Sequence, residues 1–165
     1  MAVVIERIPL VNRWVSEQWR IVAVVPDDRE ASEAAAVERI DAEGGTRWIV
    51  GGHAIELNRT EAEGYFLNIS APEPKAFVMW RNREAGDDAA DGIAIAAQLV
   101  SVSYNEAGRL LDGGEQVEAV PLAQAIRAWM EPFVAEHYKP EPKRKSRRNQ
   151  LYERDRDDGP APKSG

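Results

Sequence analysis

With no cysteine in the sequence, any catalysis or metal binding in this chain must use oxygen and nitrogen groups, among them its two histidines, His53 and His137. The missing cysteines remove thiolate nucleophiles, cysteine-ligated zinc, disulfides and conventional iron–sulfur ligation. His53 precedes Glu56, but on a strand a separation of three sends the two side chains to opposite faces. His137 stands near Glu136 and Glu141, and its spacing of four from Phe133 suits the end of an apolar helical seam. The hydroxyls of Thr60, Ser70, Ser101 and Ser103 lie in no nucleophile-elbow sequence, and neither histidine accompanies a triad signal. Carboxylate pairs at Asp27-Asp28, Glu61/Glu63 and Asp87-Asp88 are what an acidic surface supplies routinely. They become acid–base partners only by convergence in space, for instance of His53 with Glu61 or Glu63. The Gly-Gly pairs at 44–45, 51–52 and 113–114 carry neither a Walker lysine nor a spaced dinucleotide fingerprint. The reading is therefore of no catalytic, cofactor-binding or metal residues and no cofactor. A hydrolase-like enzyme with an unrecognised site is the enzymatic alternative.

A second chemistry resides in charge. The formal net charge is −7, but residues 1–138 carry −11 and residues 139–165 carry +4. Lys139, Lys143, Arg144, Lys145, Arg147 and Arg148 form a basic run, followed by Leu151 and Tyr152 and then by "ERDRDD". Such a block attracts a partner of opposite sign. Two adjacent apolar anchors between opposite charges suit a protein surface, so Lys143, Arg144, Lys145, Arg147, Arg148, Leu151 and Tyr152 are the candidate partner-binding residues. A nucleic-acid arm and a plain solvated end are the alternatives. Wrapping duplex nucleic acid over a body of −11 would be electrostatically unfavourable. The aromatic residues do not interleave with basic ones as a single-strand binding face requires.

The elements that must position these groups form one compact unit over 1–138, with a disordered tail over 139–165; 165 residues suffice for one core and are few for two. "VVIERI" and "WRIVAVV" read as strands, with Trp14 and Trp19 clamping the loop between them by packing and ligand stacking the lesser alternative. Residues 27–41 read as a short helix ended by Gly44-Gly45. "TRWIV" and "HAIEL" read as strands about a hairpin at Gly51-Gly52. Thr60 to Glu63 has capping-box spacing, but Gly64 weakens a helix interior, so one turn followed by a strand over 65–69 is expected. Strands follow at 76–81 and within 93–104, then a short helix from Tyr104 and an extended "EQVEAV". Pro121 fits the first position of a last helix with Leu122, Ile126, Trp129 and Phe133 on one face and a kink at Pro132. The fold class is α+β: a small, mostly antiparallel sheet with short helices, covered by a kinked C-terminal helix.

The N-terminus has no basic region ahead of its apolar residues, and no segment reaches the roughly twenty apolar residues that span a bilayer. A cytoplasmic location is expected. The sequons at Asn58 and Asn68 are then chance matches.

"ERIP", two spaced tryptophans before "AVVP", "TEAEGYFLN", "VEAVP" and a basic run after "EH" resemble, in combination and order, the bacterial family called domain of unknown function 3305. Members of that family are commonly encoded near formate dehydrogenase and its accessory proteins. The resemblance implies a protein that assists production, maturation or regulation of a molybdenum- or tungsten-dependent formate dehydrogenase. Its expected partner is a component of that enzyme or a maturation factor. The chain departs from the family pattern at Ser146, inside the basic cluster, and in its acidic 82–92 connection.

Overall fold

A computed structural model describes residues 1–28, 37–42, 44–84 and 92–140. The first sheet has the order β2-β1-β4-β3, from β1 (Ala2–Pro9), β2 (Glu17–Val25), β3 (Val37–Ala42) and β4 (Gly45–Val50). The second has the order β6-β5-β7, from β5 (Lys75–Asn82), β6 (Ile95–Ser101) and β7 (Gln116–Pro121). All pairings are antiparallel, and β2 approaches β7 where the sheets meet. Among the described residues three α-helices, α1 (Ala62–Ile69), α2 (Tyr104–Asp112) and α3 (Gln124–His137), complete the α+β fold.

Alternation along β1 decides which face is core. Val3 and Ile5 point inward with Ile21, Trp48 and Val50, their cross-strand neighbours. Glu6 points outward between its register partners Arg20 and Arg47, accepting from their Nε atoms at 2.6 and 2.8 Å. The arginines cover this carboxylate, and the hydrogen bond from Arg47, with that from Arg20, holds its pKa below the usual glutamate range against the opposing effect of burial. A lowered carboxylate pKa contributes stability above the unfolded value, about pH 4.3, that is lost as pH falls through the folded one. Glu6→Gln is therefore expected to cost about 1–3 kcal/mol at pH 7. Urea titrations should show that difference closing below about pH 4.

One cluster joins both sheets to the helices: Val78 of β5, Ile95 and Val100 of β6 and Val120 of β7 pack with Tyr65 of α1 and Ile126, Met130 and Val134 of α3. On the other face of β5, Phe77 meets Tyr104 of α2 edge-on at 5.3 Å.

Several local expectations are corrected. Residues 29–36, the middle of the expected helix, lie outside the described residues, while Val37–Ala42 is a strand rather than its continuation. The hairpin falls between β3 and β4, where Gly44 takes φ 96°, and not at Gly51-Gly52. After Gly52 the chain leaves the sheet, and "HAIEL" forms no strand. Residues 62–69 are helical throughout. Pro121 ends β7, an edge strand, where a missing N–H is tolerated; α3 starts only at Gln124. Met130 and Val134 occupy the centre of its buried stripe with Ile126, which leaves Trp129 at the margin and 47% exposed. Pro132 lies inside α3, which continues through it to His137.

Candidate docking loop and polar cleft

Residues 10–16 connect β1 to β2, and from Val11 onward their apolar side chains face solvent. Trp14 is 85% exposed, with Val11 and Val15 exposed beside it, so the expected packing role holds for Trp19 and not for Trp14. Trp19 stacks on Trp48 at 5.2 Å and donates from Nε1 to Glu17 at 2.9 Å. The loop is nevertheless ordered locally. The Asn12 side-chain oxygen accepts from the Trp14 N–H at 3.0 Å, and the Leu10 N–H donates to the Ser16 carbonyl at 2.9 Å. The first contact is the side-chain-to-backbone turn that asparagine favours. The Arg13 guanidinium lies 5.5 Å from the Trp14 ring centroid, a cation–π arrangement.

A cleft of about 770 Å³ lies between the irregular segment after Gly52 and β6. His53, Glu56, Glu61, Tyr65, Gln98 and Glu106 contribute to its walls. The structure thus brings His53 and Glu61 to one cleft and leaves Glu63 out of the lining. Burial, and secondarily the N-terminal ammonium, pushes the His53 pKa below the usual histidine range, and its Nε2 has no hydrogen-bond partner among the described residues. Tyr65 is fixed through its hydroxyl, which accepts from Asn58 N–H at 3.1 Å and donates to the Glu56 carbonyl at 3.4 Å. Its burial raises the phenol pKa.

The hydroxyls beside this cleft are committed to structure. Ser103, 0% exposed, caps α2 by accepting the Glu106 N–H at 3.1 Å and donates to Glu61 at 2.7 Å. Ser101, also buried, accepts the Ser103 N–H at 3.1 Å and donates to the Glu106 carboxylate. Arg109 closes the cluster from α2 by donating to Glu61 at 2.6 Å. The arrangement clamps α1 to α2. Neither Ser101 nor Ser103 is an accessible nucleophile, because both serines are beneath the surface; the exposed Thr60 hydroxyl, which also lines the cleft, donates to the Asn58 side-chain oxygen at 3.0 Å. Its carboxylates and the Gln98 side chain give the cleft hydrogen-bonding capacity for a polar ligand.

Gly64 explains why α1 tolerates glycine. A Cβ there would stand 2.2 Å from Ser103 Oγ and 3.2 Å from Asn105 N. Gly64→Ala is expected to part α1 from α2 and cost about 1–3 kcal/mol in chemical denaturation, despite alanine's higher helix propensity.

His137 packs edge-on against Phe133 at 4.4 Å, as its spacing implied. No group of three or more histidine, aspartate or glutamate side chains able to hold a metal occurs among the described residues. Within them no helix is long and apolar enough to cross a membrane. Lys143, Arg144, Lys145, Arg147, Arg148, Leu151 and Tyr152 lie outside the described residues.

The family profile described as "Protein of unknown function (DUF3305)" matches residues 1–147. The chain belongs to the DUF3305 family. The match covers all the described elements of this DUF3305 protein and runs through Lys143, Arg144, Lys145 and Arg147, ending before Arg148, Leu151 and Tyr152. No curated protein and no solved structure matches it. The Trp14 loop reads in the sequence as packed against the sheet because an exposed and a buried tryptophan are spelled alike. The available signal was Asn12 two residues before Trp14, which marks a side-chain-closed turn.

Proposed function

We propose that this DUF3305 protein is a noncatalytic accessory or adaptor protein that docks onto another protein through the Trp14 loop, with the basic run at 143–148 as a second contact. The carrying observation is the 85% exposure of Trp14 on a locally ordered loop. Tryptophan and arginine are the side chains most enriched at binding hot spots. Prior ordering of the loop lowers the entropy lost on binding. The body's charge of −11 favours a protein partner over nucleic acid.

The family resemblance directs the choice of partner toward production, maturation or regulation of a formate dehydrogenase, in the cytoplasm. Formate dehydrogenase activity, measured in cells lacking this protein and then resupplied with it, tests that assignment. Activity is expected to fall on deletion and to return with the wild-type chain but not with Trp14→Ala. Unchanged activity on deletion would remove the dehydrogenase from the proposal.

A further inference from the structure

An apolar groove of about 310 Å³ runs between α1 and α3. Phe66 and Ile69 form one wall, Val134 and Ala135 the other, and Tyr138 and Pro140 close the end. Phe66 and Tyr138 stack at 4.3 Å, fixing the groove's rim. We infer that the occupant is the chain's own C-terminal segment, with Leu151 and Tyr152 seated in this groove.

Three features select that occupant. The first is where the described chain ends: Pro140 is itself part of the groove, so the 25 residues that follow begin at the site. The second is composition. Leu151 and Tyr152 are the only large apolar residues after Pro140, and ten residues separate them from it. Those residues span at most roughly 35 Å when extended, enough to turn back to a groove at the segment's own root. The third is charge. Residues 141–165 carry +3 against a body of −11, and Glu131, whose carboxylate accepts from Arg127, borders the otherwise apolar groove.

Tethering decides between the chain's own segment and a foreign one. A short linker gives an effective concentration on the order of millimolar, so a tethered contact whose own dissociation constant is about millimolar or below is populated without help from a partner. This self-docking stands whether or not the Trp14 loop binds a protein. If both hold, the tail anchors are covered in the free protein and must be released before a partner can take them.

The test uses the full-length, isotope-labelled protein. Nuclear Overhauser contacts are expected from the Tyr152 ring to the methyl groups of Ile69 and Val134, unchanged on tenfold dilution. The double variant Leu151→Ser/Tyr152→Ser should abolish them and speed amide exchange at residues 66–69 and 134–138 roughly three- to tenfold. Ala135→Glu, which adds charge to the groove at an exposed position without removing a core side chain, should do the same. Contacts that vanish on dilution would place a second copy in the groove and overturn the assignment. Absence of contacts, or exchange indifferent to both variants, would also overturn it.

Discussion

Trp14→Ala is expected to weaken partner binding by at least thirtyfold, about 2 kcal/mol, while leaving the fold intact. The two halves of this expectation have different physical origins. Trp14 is 85% exposed, so its truncation removes little from the protein's own packing; stability should change by no more than about 0.5 kcal/mol. In a complex the same ring would bury on the order of 200 Å². The Asn12 turn and the Leu10–Ser16 hydrogen bond hold the ring's backbone in place beforehand. Binding measured by surface plasmon resonance, alongside urea denaturation of the same preparations, separates the two effects. Asn12→Ala should be milder, because it removes the turn and keeps the ring.

Asn68→Ala should act in the opposite manner, with a loss of about 3–5 kcal/mol in folding stability. Asn68 is 0% exposed. Its amide nitrogen donates to the carbonyls of Lys75 and Val102 at 2.7 and 2.8 Å, and its oxygen accepts the Lys75 N–H at 2.8 Å. One side chain thereby fastens α1 to the start of β5 and the end of β6. Alanine would leave one backbone donor and two acceptors without those partners, each costing about 1–3 kcal/mol when buried. Asn68→Asp should be destabilising too, since a carboxylate cannot donate to the two carbonyls. Denaturant midpoints at pH 7 measure both. Complete burial also keeps Asn68 from serving as a glycan acceptor in the folded protein, whatever its sequon spells.

Particular residues show what the sequence discloses and what it conceals. The β-branched runs in β1 and β2 and the strand at β5 are legible because each must present apolar side chains to a core whose position the alternation reveals. The α2 helix is legible from the glycines that stop it, while its Ser103 cap shows only in the structure. Helix α1 is concealed because Gly64 argues against it locally, and the reason for glycine is the hydroxyl of Ser103, 39 positions away. Pro121 misleads in the same way: the first turn of a helix and the last residue of an edge strand both dispense with its N–H. The His53–Glu61 cleft arises where the chain leaves the sheet after Gly52, a path set by tertiary packing rather than by a local pattern. For the Trp14 loop, side-chain type announces burial and only the folded sheet reveals that the ring lies beyond its reach.

The most direct test of the docking claim is affinity capture from extracts of a cell that makes this protein, comparing the full-length wild type with Trp14→Ala under identical conditions. Copurifying proteins are quantified relative to the bait, and the leading one is then purified for direct titration. A formate dehydrogenase component or maturation factor recovered near equal stoichiometry with the wild type, and at least thirtyfold less with Trp14→Ala, is the result predicted. Equal recovery of every copurifying protein with both baits would contradict the assignment of the Trp14 loop as the docking surface.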